Sequence, residues 1–80
     1  MTLVEVEGIV TQLVSIWVGQ LQRSGEILPD ASDAEIQDFK DGVVVTVMQM
    51  FRDVGILDDL LTGTKTNLME LVAEYLKKIS

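Results

Sequence analysis

Residues 6 to 21 of the chain read VEGIVTQLVSIWVGQL. Their larger apolar side chains recur at spacings of four, three, four and four residues, which is the period of one helix face. This stripe consists of Val6, Val10, Leu13, Trp17 and Leu21, and Val14 and Val18 widen it. The pattern predicts a helix from Leu3 to Ser24. We expect it to end at Gly25, because glycine readily adopts the left-handed conformation found after helices.

A second helix is predicted to begin at Ser32. The run Ser32-Asp33-Ala34-Glu35 matches a capping box, in which the serine hydroxyl and the glutamate carboxylate each accept a backbone N–H of the first turn. An apolar series follows it at near-heptad spacing. Its members are Ile36, Phe39, Val43, Val47, Met50 and Val54.

The extent of this second helix is ambiguous because Gly42 and three valines interrupt the pattern. Glycine and β-branched residues are poor helix formers. Either one helix runs over residues 32–53, or a short helix over 33–40 is followed by a new one that starts near Asp41. A buried strand over 43–47 is a third alternative, but no second strand is indicated to pair with it.

The rest of the chain is predicted to alternate loops and helices. Residues 26–31 form a loop that contains Pro29, and Gly55 ends the second helix. Residues 56–61 can form a short helical turn, and residues 62–64 a loop. A last helix is expected over residues 66–79, with one apolar face that consists of Leu68, Leu71, Val72, Tyr75, Leu76 and Ile79. The chain is therefore predicted to be one all-α domain over residues 1–80, a small three- or four-helix bundle.

The composition narrows the range of possible functions. The 80 residues include no histidine and no cysteine, and the formal net charge is −7. Catalytic His dyads, thiol chemistry and the usual zinc or haem sites need the missing residues. We expect no enzyme and no cofactor. A negative surface repels nucleic-acid phosphates and anionic membranes, so the expected partner is a protein or a second copy of the chain.

The segment over residues 9–18 is the longest mostly apolar stretch, and it is too short for a membrane span of about 20 residues. Glu5 and Glu7 near the N-terminus, without an early lysine or arginine, are not typical of a signal peptide. We expect a cytoplasmic protein.

Two acidic features of the sequence could form a calcium site or a catalytic carboxylate pair. A calcium-binding EF-hand loop that began at Asp30 would need glycine at its sixth position, which holds Glu35. Asp58 and Asp59 could form a general acid–base pair, but nothing in the sequence marks a pocket around them. We expect these carboxylates to lie on solvated helix faces and caps, with no metal site.

The apolar stripes are wider than a two-helix contact requires. They either fill the core of a bundle or form a subunit or partner interface. For the second alternative, the predicted partner-binding residues are Val14, Val18, Val44, Met48, Phe51, Asp38 and Asp41.

The C-terminal half resembles acyl and peptidyl carrier proteins. Asp41-Gly42-Val43 corresponds to the Asp-Ser-Leu that opens their second helix, Gly55-Ile56 follows the end of that helix, and residues 66–76 resemble their last helix. The resemblance implies an acidic helical bundle in a biosynthetic assembly line. Because Gly42 occupies the position of the serine that carries phosphopantetheine, it implies a degenerate carrier that binds partners without holding a thioester.

The predicted function is a non-enzymatic protein–protein interaction module that buries apolar helix faces against itself or a partner. The alternative is a carrier-like component of an assembly line. A calcium-dependent regulator is a third hypothesis, which rests on the acidic run over residues 26–41 alone.

Overall fold

A computed structural model describes residues 1–26 and 30–79. Within this part of the chain there are four α-helices and no strand, so the prediction of a small all-α bundle is confirmed. The helices are α1 (Leu3–Ser24), α2 (Asp33–Asp53), α3 (Ile56–Thr62) and α4 (Leu68–Ile79). The predicted loop over 26–31 includes residues 27–29, which lie outside the described residues.

Both ends of α1 lie where they were predicted, and the start is fixed by a capping box that the sequence analysis missed. The Thr2 hydroxyl accepts the Glu5 N–H at 3.2 Å, and the Glu5 carboxylate accepts the Thr2 N–H at 3.1 Å. The bond from the Thr2 N–H favours the ionised carboxylate and is the main cause of the lowered pKa of Glu5. At the other end Gly25 has φ 76°, and the N–H of Glu26 reaches the Leu21 carbonyl at 3.0 Å, which closes the helix.

The second segment is one continuous helix, so the first of the alternatives for residues 32–53 is correct. Gly42 lies near its middle without breaking it, and Asp41 does not begin a new helix. Tertiary packing of the half that follows Gly42 compensates for the low helix propensity there. At the start, the Ser32 hydroxyl accepts the Glu35 N–H at 3.2 Å. The Glu35 carboxylate bonds to that same hydroxyl and not to the Ser32 N–H, so only half of the predicted box forms.

A line of four valines on α1 forms the centre of the core. Val6, Val10, Val14 and Val18 are fully buried, whereas Trp17 of the predicted stripe is only partly buried. In the second half of α1, the centre of the buried face therefore lies one residue after the predicted stripe, at Val14 and Val18 instead of Leu13 and Trp17. The other fully or nearly fully buried side chains are Val47, Phe51, Leu57, Leu60, Leu68, Val72 and Leu76.

Helix α1 packs against both α2 and α4, while α2 also contacts α3. The α1 and α2 helices are antiparallel, because the ring of Trp17 stacks on that of Phe39 while Leu3 lies in a cleft with Arg52. The short α3 closes the end at which α1 begins, where the Met1 amino group reaches the Leu60 carbonyl at 3.4 Å.

Burial is uneven along the 42 Å length of the molecule. In α2 only Val47 and Phe51 are fully buried, and both lie in its second half. Residues 33–46 contribute partly buried apolar side chains but no fully buried one. The first half of α2 is therefore less completely covered than its second half.

Replacement of Leu60 by alanine tests the core at the α3 end. Leu60 is fully buried, so L60A leaves a cavity and should lower the free energy of unfolding by about 2–5 kcal/mol. That is a large fraction of the roughly 4–12 kcal/mol expected for a domain of this size. The adjacent Leu61 is 36% exposed, and L61A provides the same chemical change with a much smaller loss. Urea unfolding followed by circular dichroism would measure both, and equal losses would contradict this core assignment.

Two glycines should respond to alanine in opposite directions. A Cβ at Gly42 would meet no atom within 4 Å, so G42A should stabilise α2 by about 0.5–1 kcal/mol through helix propensity. Gly55 has φ +81°, and G55A should destabilise the junction of α2 and α3 by about 1–2 kcal/mol. Thermal and urea unfolding of the two variants checks the signs, and stabilisation by G55A would be the contrary result.

Candidate protein-binding surface

A concave part of the surface that exposes aromatic and aliphatic side chains lies between α2 and α4. This α2–α4 cleft has a volume of about 360 Å³. It is lined by Asp38, Phe39, Gly42, Val43, Thr46, Tyr75 and Ile79. The first five residues follow each other at helical spacing on α2, and the last two are one turn apart on α4.

The apolar side chains of the α2–α4 cleft are only partly covered by the fold. Phe39 is 42% exposed and Ile79 is 46% exposed, while Val43 and Tyr75 are half-buried against the core. Large apolar side chains that share one concavity are more informative than the same residues scattered singly over a surface. The cleft is thus an apolar surface that this chain leaves open to solvent.

Phe39 is held in place from behind by Trp17. The two ring centroids are 6.3 Å apart and the ring planes differ by 20°, which is an offset stacked arrangement. Because Trp17 belongs to α1, the contact fixes the first half of α2 against the second half of α1. It also makes the Phe39 ring a positioned wall of the cleft.

Gly42 leaves room in the wall of the cleft that α2 forms. No atom lies within 4 Å of the position that a Cβ would occupy. The Thr46 hydroxyl donates to the Gly42 carbonyl at 2.8 Å, so the polar atom that Thr46 brings to the cleft is already bonded within the helix. The wall between Phe39 and Thr46 is therefore open and largely without unsatisfied polar groups.

The charges around the cleft are distributed unequally between its two helices. Residues 33–41 of α2 contain four carboxylates and one lysine, a net charge of −3. Residues 74–79 of α4 contain Glu74, Lys77 and Lys78, a net charge of +1. Asp38 lines the cleft itself, and its carboxylate has no hydrogen bond or ion pair among residues 1–26 and 30–79.

Among the described residues, two further clefts flank α1. One, of about 350 Å³, lies between α1 and α4 and is lined by Leu13, Ile16, Trp17, Gln20, Ala73, Leu76 and Lys77. It meets the α2–α4 cleft at the Trp17–Phe39 stack, because each ring lines one of the two. The other, of about 260 Å³, lies between α1 and α2 and is lined by Leu3, Glu7, Val44, Val45, Met48, Gln49 and Arg52.

The structure does not bring the seven predicted partner-binding residues together on one surface. Val14, Val18 and Phe51 are core residues, with at most 1% of their surface exposed. A partner could reach them only if the helices separated, so they are not part of a preformed docking surface. The apolar stripe of α1 is wide because this helix packs against both α2 and α4.

The other four predicted residues are at the surface but in different places. Val44 and Met48 lie in the α1–α2 cleft. Asp38 lines the α2–α4 cleft. Asp41 is exposed and accepts a hydrogen bond from the Gln37 amide at 2.9 Å.

Sequence reasoning missed Phe39, Tyr75 and Ile79 as surface residues because it assigned them to apolar stripes. Their helical spacing matches that of true core residues, and only the distance between α2 and α4 leaves them exposed. The one sequence signal was Gly42, whose lack of a side chain within an apolar series is consistent with an open cleft wall.

Within the described ranges, no group of three or more carboxylates is placed to hold a metal ion. Asp58 and Asp59 lie in the first turn of α3, where carboxylates favour the positive end of a helix dipole. No helix in this part of the chain is both long enough and apolar enough to cross a membrane.

Comparison of the chain with models of protein families, with curated proteins and with solved structures gives no match. The clefts and the distribution of charge are therefore the features from which a function can be inferred.

Proposed function

We propose that this chain is a non-enzymatic protein-interaction module and that the α2–α4 cleft is its binding surface. The observation that carries the proposal is the exposure of Phe39 and Ile79 in one concavity, next to the half-buried Tyr75. The module would bury this apolar surface against a protein partner or a second copy of the chain.

The energetics of protein interfaces support this use of the cleft. A few aromatic and aliphatic anchors near the centre of an interface usually supply most of the binding free energy. Phe39 has its conformation restricted in advance by the stack on Trp17, so less side-chain entropy is lost when a partner covers it. Asp38 is the one charged residue among those that line the cleft, and the fully buried centre of an interface is usually depleted of charge.

Composition supports a role without catalysis. The sequence has no histidine or cysteine, the residues on which most nucleophilic and acid–base mechanisms of small proteins depend. The polar atoms of the cleft are few, and Thr46 uses its hydroxyl to bond its own helix. Apart from Asp38 and Tyr75, the side chains that line the cleft have no titratable group and are suited to apolar contact.

The order of the helices favours a carrier-like protein as the second candidate. As expected from the resemblance to acyl and peptidyl carrier proteins, a long α2 ends just before Gly55-Ile56. The short α3 and then α4 follow it. The position that would hold the phosphopantetheine serine, Gly42, lies in the middle of α2 and not at its start. This candidate is therefore a degenerate carrier, whose partners would recognise the helical bundle alone.

Photo-cross-linking tests the interaction module. With Phe39 replaced by the photoreactive residue p-benzoylphenylalanine, irradiation in cells of the native host should give a discrete covalent adduct, because the ring lies in the proposed interface. The same replacement at Gln12, an exposed polar position on α1, is the matched control and should give none. Mass spectrometry of the adduct identifies a partner or a second copy. Adducts of equal yield at both positions, or none at Phe39, would count against the α2–α4 cleft.

Co-expression with a broad-specificity phosphopantetheinyl transferase tests the carrier alternative. We expect the intact mass of the natural chain to stay unchanged, because Gly42 offers no hydroxyl. We expect the same for G42S, since its hydroxyl would lie within a continuous helix. A functional carrier protein in the same cells is the positive control. A G42S chain that gains the prosthetic arm would favour the carrier-like reading over the first proposal.

A further inference from the structure

We propose that the occupant of the α2–α4 cleft is an amphipathic α-helix of a partner protein, with basic side chains along the flank that faces α2. This inference rests on the proposed function and adds the secondary structure and the charge of the partner.

The shape of the cleft fits a helix. Its two walls are themselves helices, and the α2 wall runs from Phe39 to Thr46, which is about 10 Å or two helical turns. A helix laid in such a groove presents apolar residues at intervals of three and four, which matches the spacing of Phe39, Val43 and Thr46. On the other wall, Tyr75 and Ile79 are one turn apart and offer a second row of contacts.

Gly42 allows the partner to approach α2 closely. A Cβ at this position would have no atom of the described residues within 4 Å. Glycine is unfavourable within a helix by about 1 kcal/mol relative to alanine, so α2 is less stable with Gly42 than it would be with alanine there. A partner side chain can occupy the space that Gly42 leaves between Phe39 and Thr46.

The charge distribution indicates the sign of the charge on the partner. The α2 wall belongs to a segment with a net charge of −3, and Asp38, which lines the cleft, has no hydrogen bond or ion pair within the described part of the chain. Residues 74–79 of α4 have a net charge of +1, and of their two lysines Lys77 lines the α1–α4 cleft. Complementary charge on a partner helix therefore means lysine or arginine on its α2 flank, which increases the association rate and fixes its orientation.

A second copy of this chain is a poorer occupant. Each copy has a formal net charge of −7, so two copies repel each other before contact. The two longest helices are also poor mimics of a basic helix, because α1 has one basic residue and α2 has two. A cationic partner gains from the same field that opposes self-association.

Titration of the full chain with two synthetic peptides tests the inference. The first is a tryptophan-free amphipathic helix of about 18 residues with leucine at i, i+3, i+4 and i+7 and lysine on its flanks. The second has glutamate in place of every lysine. Trp17 is the one tryptophan of the chain, and its contact with Phe39 makes its fluorescence a reporter for the cleft. Isothermal titration calorimetry gives the affinities independently.

We expect the lysine peptide to bind at least tenfold more tightly than the glutamate peptide, and its advantage to shrink as salt is raised to 0.5 M. D38K should weaken binding of the lysine peptide about fivefold. D53K changes the net charge by the same amount at the far end of α2 and should have little effect.

Variants that fill the cleft distinguish binding in the cleft from attraction by charge alone. G42L fills the cleft wall with a good helix former and should abolish binding while the helix content is retained. G8L makes the same change on α1, where a Cβ also meets no atom within 4 Å, and should bind as the natural chain does. Circular dichroism and urea unfolding of both variants verify that they fold.

The outcomes distinguish this inference from the proposed function. Equal binding of both peptides that G42L abolishes would retain the cleft and overturn the basic partner. Failure of both peptides, with a specific adduct at Phe39, would retain the interaction module and overturn the basic helix. A dimer in sedimentation equilibrium that G42L dissociates would identify a second copy as the occupant and overturn the inference as well.

Discussion

The buried line of valines on α1 is the constraint on which the other helices depend. Val6, Val10, Val14 and Val18 repeat every four residues and are fully buried between neighbouring helices. A side chain as short as valine lets helices approach closely, and its branched carbon restricts its rotamers, so little entropy is lost on packing. The helix that carries this line is in contact with both other long helices, and it is the element that joins them.

The cleft follows from that arrangement. Because α2 and α4 both pack on α1, their mutual contact is slight towards the end of the bundle opposite α3, where α2 supplies no fully buried residue. A longer α3 or a bulky residue in place of Gly42 could fill such a gap. The chain instead places a stacked aromatic ring, a glycine and two half-exposed aliphatic side chains around it. The same packing that stabilises the bundle therefore also leaves an apolar surface open.

Much of the fold could be predicted from local sequence signals. Gly25 and Gly55 mark helix ends because both have positive φ, and Ser32 precedes the first residue of α2 as an N-cap should. The continuity of α2 through Gly42 could not be predicted, because packing of its second half on the core outweighs the local cost of glycine. The candidate site was less predictable still. Phe39 belongs to the predicted apolar series of α2 and is 42% exposed, whereas Phe51 lies outside that series and is buried. The series therefore did not indicate which of the two rings the other helices cover.

The uneven burial along α2 has a consequence for local opening of the native state. Residues 33–46 contain no fully buried side chain, whereas the second half of α2 contains Val47 and Phe51. Amide protons in the first half are therefore expected to exchange through a sub-global opening whose free energy lies below that of global unfolding. Because the cleft is built on that less stable half, any molecule that binds there raises the free energy of the local opening, and its occupancy is transmitted as protection from exchange and proteolysis.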